Sequence, residues 1–433
     1  MRALMVKGSA PAAKPGSGKK RTPQGDPGVV TLVLENGVPV LFERMENLRS
    51  VTVAVWALIG SRHERPEEYG VAHVVEHMIF KGTRRRSARQ IAESLEFIGG
   101  ESNAFTSREY SCYYAKVANT DWNLAVDVLS DIVSNSTFDA SELEKERKVI
   151  LEEISMYEDN PEELSHEHLV AKIFDQRLGH PIIGTRAIIS GMHREQVAKF
   201  YRDYYHPKNL FITVVGNLTE EEFEKGIRKF WPDGASAKGL APVDGKTRFR
   251  RGETQIKKEI EQVHLCLGMP GLPVVHDDRF VLHLMSNYLG GGMSSRLFQE
   301  VREKRGMAYS IYTFVQAYRD IGFFGIYCGT SPNRIDKVTA IVKSELERVA
   351  DKGLSTKRLG QLKRQVRGSF LLGLEKTGFR MNRLGVSHIY FGRTYAVDEV
   401  LARIDAISND DVLRVAGELF REDFHSIAVV GPK

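Results

Sequence analysis

FITVVGN, beginning at Phe211, and SIAVVGP, beginning at Ser426, are near-copies about 215 residues apart, and each closes a stretch built to the same plan. The first stretch opens on strand-like TLVLENGVPVLFERM and SVTVAVWALIG. Helical segments follow at 70–80 and 87–98, the second stopped by Gly99 and Gly100. Then come the strand segments SNAFT and YSCYYAKV and helices near 120–135 and 141–158. The second stretch opens on TQIKKEIEQVHLCLGMPG and has a helix from about Arg279. It continues through LFQEVREKRG, strands SIYTFV and GFFGIYCGT, and helices near 333–350 and 356–375. An internal duplication restricts the fold to two homologous α+β domains, each a mainly antiparallel sheet packed with helices. A length of 433 residues suits two cores of similar size. The expected boundaries are a basic tail at 1–29, an N-terminal domain at 30–232, a linker at 233–250 and a C-terminal domain at 251–433. The linker falls in the Pro/Gly/Ala/Ser-rich stretch WPDGASAKGLAPVDGK.

Charge matters mainly at the start. Six of the cations behind the net charge of +5, from Arg2 to Arg21, precede the first acid, Asp26. Pro, Gly and Ser separate them, so the tail reads as disordered. It has no continuous apolar core and is not a secretory signal; a cleaved organellar targeting segment is the alternative. The longest apolar run, VTVAVWALIG, is about half of a membrane span, so no transmembrane helix is expected. Cys112, Cys266 and Cys328 are scattered, with no CxxC pair, which excludes a disulfide framework and a thiolate zinc site. A reducing compartment fits: the cytoplasm, with the mitochondrial matrix as alternative.

The chemistry concentrates in HVVEH, residues 73–77, inside GVAHVVEHMIF. On a helix, His73 and His77 lie one turn apart on one face, and Glu76 lies beside that face. The rest of the segment is apolar, so burial without a partner would be costly, and a metal ion is such a partner. Imidazole nitrogen and carboxylate oxygen suit zinc. By chance the pattern is expected roughly 0.03 times in a chain of this length.

A catalytic zinc site has three protein ligands and an open fourth position. SELEKERKVILEEISMYE, at 141–158, offers the third, and Ser141 with Glu144 reads as a capping box. Its apolar stripe is Leu143, Ile150, Ile154 and Tyr157. With Ile150 as centre, Glu146 lies about 40° and Glu153 about 60° to one side. The plainer alternative makes both glutamates solvated edge residues. Elsewhere, GGGMSSR at 290–296 lacks the ending of a phosphate loop and reads as a helix connection. KGTRRR at 81–86 reads as a solvated loop, and no nucleic-acid partner is expected.

HxxEH is the inverted zinc-peptidase motif. With SNAFTSREYSCYYAK, ERKVILEE and SSRLFQEVREKRGMAYS, the chain after residue 30 resembles the family of pitrilysin, insulin-degrading enzyme and the mitochondrial processing peptidase, its half-length members above all. The resemblance implies a zinc metalloendopeptidase with one Zn2+ per chain. The family's third ligand, a glutamate 76 residues after the second histidine, falls on Glu153. A second glutamate seven residues earlier falls on Glu146, which would orient the site. Glu76 would be the general base. Substrate peptide would add as a strand beside SNAFT, with backbone contacts from Asn103 and Ala104. Arg302 and Tyr309, in REKRGMAY, match a pair that contacts the substrate carbonyl and stabilises the oxyanion. The resemblance also implies a clam-like homodimer; a non-catalytic partner subunit is the alternative reading.

Overall fold

The computed structural model describes residues 26–231, 247–421, 424 and 426–432. Residues 1–25 of the expected tail and 233–246 of the expected linker lie outside them. The first sheet holds β1 (Val29–Val33), β2 (Pro39–Arg44), β3 (Ser50–Ala57), β4 (Glu101–Thr106), β5 (Ser111–Ala118) and β6 (Leu210–Gly216). Their spatial order is β1-β2-β6-β3-β5-β4. The second holds β7 (Gly252–Lys258), β8 (Val263–Gly271), β9 (Ala308–Ala317), β10 (Gly322–Thr330) and β11 (Ser426–Pro432), ordered β7-β11-β8-β10-β9. FITVVGN and SIAVVGP lie in β6 and β11. Each runs parallel to an opening strand of its own half, β2 or β7, while the other neighbours pair antiparallel. Apart from the extra β1 the two sheets superpose in order, which makes β4 and β9 equivalent edges. All seven residues of β6 are buried, as a strand covered on both faces requires.

Five helices frame the first sheet's site: α1 (Val71–Ile79), α2 (Ala88–Glu96), α3 (Trp122–Asn135), α4 (Ala140–Asp159) and α5 (Pro161–Ile173). Val53, Val55, Tyr113 and Ala115 on one sheet face pack with Val75, Met78 and Ile79 of α1 and Leu129 of α3. Six of the nine residues of α1 are buried; His73, Glu76 and His77 form the half-exposed remainder. The helix begins at Gly70, in the left-handed region at φ 96°. A Cβ there would stand 2.7 Å from the Cα of Gly184, so only glycine lets the two segments pass this closely.

The opposite sheet faces are covered reciprocally. Leu169, Val170 and Ile173 of α5 pack on the second sheet against Cys266, Phe323 and Tyr327. Met381 and Leu384, on the helix Thr377–Phe391, pack on the first sheet against Trp56 and Phe211. Each half therefore closes the other's second core.

Three local readings are corrected. The cap of α4 is Asp139, whose Oδ1 accepts from the N–H groups of Ser141 at 2.8 Å and Glu142 at 3.2 Å. Ser141 does not head a capping box because it is already the second residue of the helix, and its hydroxyl donates to Asp139 at 2.6 Å. Tyr157 is 43% exposed rather than part of the buried stripe, since it rims a cleft. The 81–86 segment is not freely solvated: Arg85 and Arg86 pair with Asp127 and Asp131 of α3.

Candidate metal centre and catalytic cleft

α1 and α4 cross so that Glu153 faces both histidines. Its Oε2 lies 3.7 Å from His73 Nε2 and 3.6 Å from His77 Nε2. Those separations are too long for hydrogen bonds. They are close to the roughly 3.4 Å between neighbouring ligands on a tetrahedron of 2.0–2.1 Å radius, the size zinc requires. Among the described residues, this is the one group of three or more His, Cys, Asp or Glu side chains whose ligand atoms all lie within 4.8 Å of one another. The donor set thus fits the ion the sequence implies.

Glu146 lies beneath the group, 6% exposed. Its Oε2 is 3.0 Å from His77 Nδ1, and a carboxylate can only accept, so Nδ1 carries the proton and Nε2 is left as a ligand. Its Oε1 pairs with Lys81 Nζ at 2.7 Å, a residue the sequence reading did not single out. His73 lacks an equivalent: its Nδ1 is buried with no hydrogen-bond partner among the described residues. Burial, with the neighbouring His77, lowers the His73 pKa to about 4, so the ring is neutral at physiological pH.

Glu76 lines the same cleft as His73 and Glu153, and its Oε2 accepts a 2.5 Å hydrogen bond from the Thr106 hydroxyl at the end of β4. Burial raises the Glu76 carboxyl above its ordinary value, against the Thr106 hydrogen bond. The sequence reading reached SNAFT but stopped at Asn103 and Ala104; the threonine is the last residue of that same string. His73, Glu76 and Thr106 open onto a cleft of about 480 Å³, whose far wall is α5 and residues 181–186. β4 is a sheet edge. Ala104 lines the cleft, and Asn103 lines a neighbouring groove with Phe80 and Lys81.

The start of α1 is tied to the cleft wall. Glu64, fully enclosed, accepts from the N–H groups of Gly70 and Ala72 at 2.8 Å each and from His180 Nε2 at 3.0 Å. The carboxylate thereby serves the free N–H groups at the helix N-terminus.

Arg302 and Tyr309 are placed together and apart from this cleft. The Arg302 guanidinium lies 5.0 Å from the Tyr309 ring centre, Arg302 on the π-helical turn Phe298–Glu303 and Tyr309 on edge strand β9. Tyr309 is 76% exposed, and neither residue lines the cleft of its own chain.

Fold and site together define a class: a duplicated two-sheet protein with an HxxEH helix and a glutamate from a second helix as a metal-ligand group. Residues 39–186 match the sequence profile of Insulinase (Peptidase family M16), and 191–366 match that of the Peptidase M16 inactive domain. The chain is 42% identical to an uncharacterized zinc protease of Bacillus subtilis, over 92% of this chain and 97% of the relative. It is 40% identical to an uncharacterized zinc protease of Streptomyces coelicolor, over 94% and 91%. A protease from Helicobacter pylori shares the fold at a TM-score of 0.88 and 22% identity, covering 93% of this chain and 99% of that one. The chain belongs to peptidase family M16, the insulinase family. Among the described residues no helix is long and apolar enough to cross a membrane.

Proposed function

We propose that the protein is a zinc-dependent endopeptidase acting on peptides or unfolded polypeptides, with one ion held by His73, His77 and Glu153. The observation that carries this reading is the three-ligand group at a cleft that Glu76 also lines and that an edge strand bounds. Bound there, zinc would supply Lewis acidity, making water a nucleophile near neutral pH and polarising a carbonyl. Glu76 takes the proton of the attacking water and passes it to the leaving amine. Substrate extends the sheet at β4, where Asn103 and Ala104 offer backbone groups, so the main chain gives most of the affinity. The test is cleavage of a mixed peptide library with and without a chelator. Activity should vanish on chelation and return with zinc; zinc-loaded protein that cleaves nothing would leave a non-catalytic partner role.

The α5 wall of the cleft is acidic. Glu167 Oε1 lies 3.7 Å from the buried Arg108 guanidinium, and burial, with Glu162 and Glu167, raises the Glu163 carboxyl. An arginine or lysine side chain entering the cleft would pair with Glu163. The favoured substrates accordingly carry a basic residue near the scissile bond, and the same library reads this out. The Arg302/Tyr309 pair completes the site from a second copy of the chain.

A further inference from the structure

We propose that Thr106 is a positioning residue for the base, so that one strand both receives the peptide and aims the carboxylate that acts on it. The inference rests on the reading of Glu76 as general base. Among the described residues, Thr106 is the hydrogen-bond partner the structure gives that carboxylate, at 2.5 Å. A glutamate on a helix keeps rotational freedom about its last bonds, and the carboxylate can present either oxygen or neither. The hydroxyl holds Oε2, and the Thr106 backbone N–H also acts on the same carboxylate, so the strand end fixes it from two groups.

The threonine is itself well fixed. It ends β4, opposite Ser111 in the β4–β5 register. The turn beyond it is closed by the Ser107 N–H on the Tyr110 carbonyl at 2.8 Å, and the Ser61 N–H holds the Ser107 carbonyl at 3.1 Å. Ser111, fully buried, donates to the Ile59 carbonyl at 3.0 Å and packs 3.3 Å from the Thr106 hydroxyl. A β-branched side chain on such a backbone has few alternatives at χ1. Thr106 shares its sheet face with Ser102 and Ala104, so the side chain that holds the base belongs to the strand where substrate adds.

The experiment uses zinc-loaded full-length protein and a quenched fluorescent peptide that it cleaves. Thr106→Val keeps the shape and suits a strand. It should lower kcat about ten- to thirtyfold, the scale of one hydrogen bond to a charged group, with KM within about twofold. Zinc stoichiometry and Tm should not change. Thr106→Ser, which keeps the hydroxyl, should restore kcat to within about threefold of wild type. In a Glu76→Asp background the shorter carboxylate cannot reach Thr106, and adding Thr106→Val should then change kcat by less than about twofold. Equal losses in both backgrounds, a raised KM in place of a lowered kcat, or a serine variant as poor as valine would overturn the proposal. Glu76→Gln separates the two failures. If that variant is inactive while Thr106→Val is unaffected, only the positioning role falls; if Glu76→Gln remains active, the base assignment falls with it.

Discussion

Three glutamates stand at the site, Glu153 within the ligand group and Glu76 and Glu146 outside it, and the proposed function gives them different work. Glu76 lines the cleft with its carboxylate held by Thr106. Glu76→Gln should therefore retain stoichiometric zinc and lose at least about a hundredfold in turnover, because the amide cannot accept the water's proton. Metal analysis beside kinetics decides it, and zinc-loaded protein with more than about a tenth of wild-type turnover would refute the role. Glu153 faces both Nε2 atoms, whereas Glu146 meets only the far nitrogen of His77 and Lys81. Glu153→Gln should weaken zinc binding more than Glu146→Gln, whose expected cost is about ten- to hundredfold. Zinc titrations in the opposite order would mean the two roles are exchanged. The placement of these side chains was partly legible, because HxxEH and the wheel of 141–158 select faces, while the choice between Glu153 and Glu146 as ligand came only with the family resemblance. Thr106 was not legible, since a threonine at a strand end carries no pattern; only the distance to Glu76 distinguishes it. Nor was Lys81, whose role depends on where helix α1 stops.

Among the elements, what the sequence concealed is which surfaces meet. Neither α5 nor Thr377–Phe391 was marked in the sequence, and neither segment tells that its buried residues lie on the other half's sheet. Gly385 records one such contact: a Cβ would stand 2.2 Å from the Trp56 ring. Gly385→Ala should cost about 1–3 kcal/mol as overpacking. Gly360→Ala, on the helix Thr356–Gly373 with open space at its Cβ, should be neutral or stabilising by up to about 1 kcal/mol. Urea unfolding of the pair checks the contrast. The turn that carries Arg302 is held by Glu300, which meets Arg296 at 2.9 Å, Lys304 at 2.7 Å and Arg305 at 2.6 Å. Hydrogen bonds from Lys304 and Arg305 foremost depress its pKa to about 2. A depressed carboxylate contributes stability above its ordinary value near 4.5 and loses it as pH falls through about 2. Glu300→Gln should accordingly be less stable than wild type at neutral pH, and the gap should close between about pH 5 and pH 2. A gap that stays constant over that window would show that the charge of Glu300 is not what holds the turn.

At the scale of the whole molecule, the duplication places β4 and β9 as equivalent edges, one beside the metal-ligand group and one bearing an exposed Tyr309. The chain holds both parts of the proposed active site, yet its own fold does not bring Arg302 or Tyr309 into its own cleft. The proposed twofold homodimer would reconcile these facts, each cleft taking Arg302 and Tyr309 from the opposite chain, because a closed twofold pairing uses the same two surfaces on both copies. Mixing variants tests it. Glu76→Gln chains lack the base and Tyr309→Phe chains lack the phenol, so each alone should be nearly inactive. In an equal mixture with free subunit exchange, about half the dimers are mixed. Each mixed dimer joins the intact Glu76 of one chain to the intact Tyr309 of the other in one of its two clefts. Activity should therefore return to about a quarter of wild type. If the pair acted within its own chain, every cleft would lack one group and the mixture would stay inactive. Subunit exchange, followed independently by energy transfer between labelled chains, makes that negative result decisive against the trans arrangement.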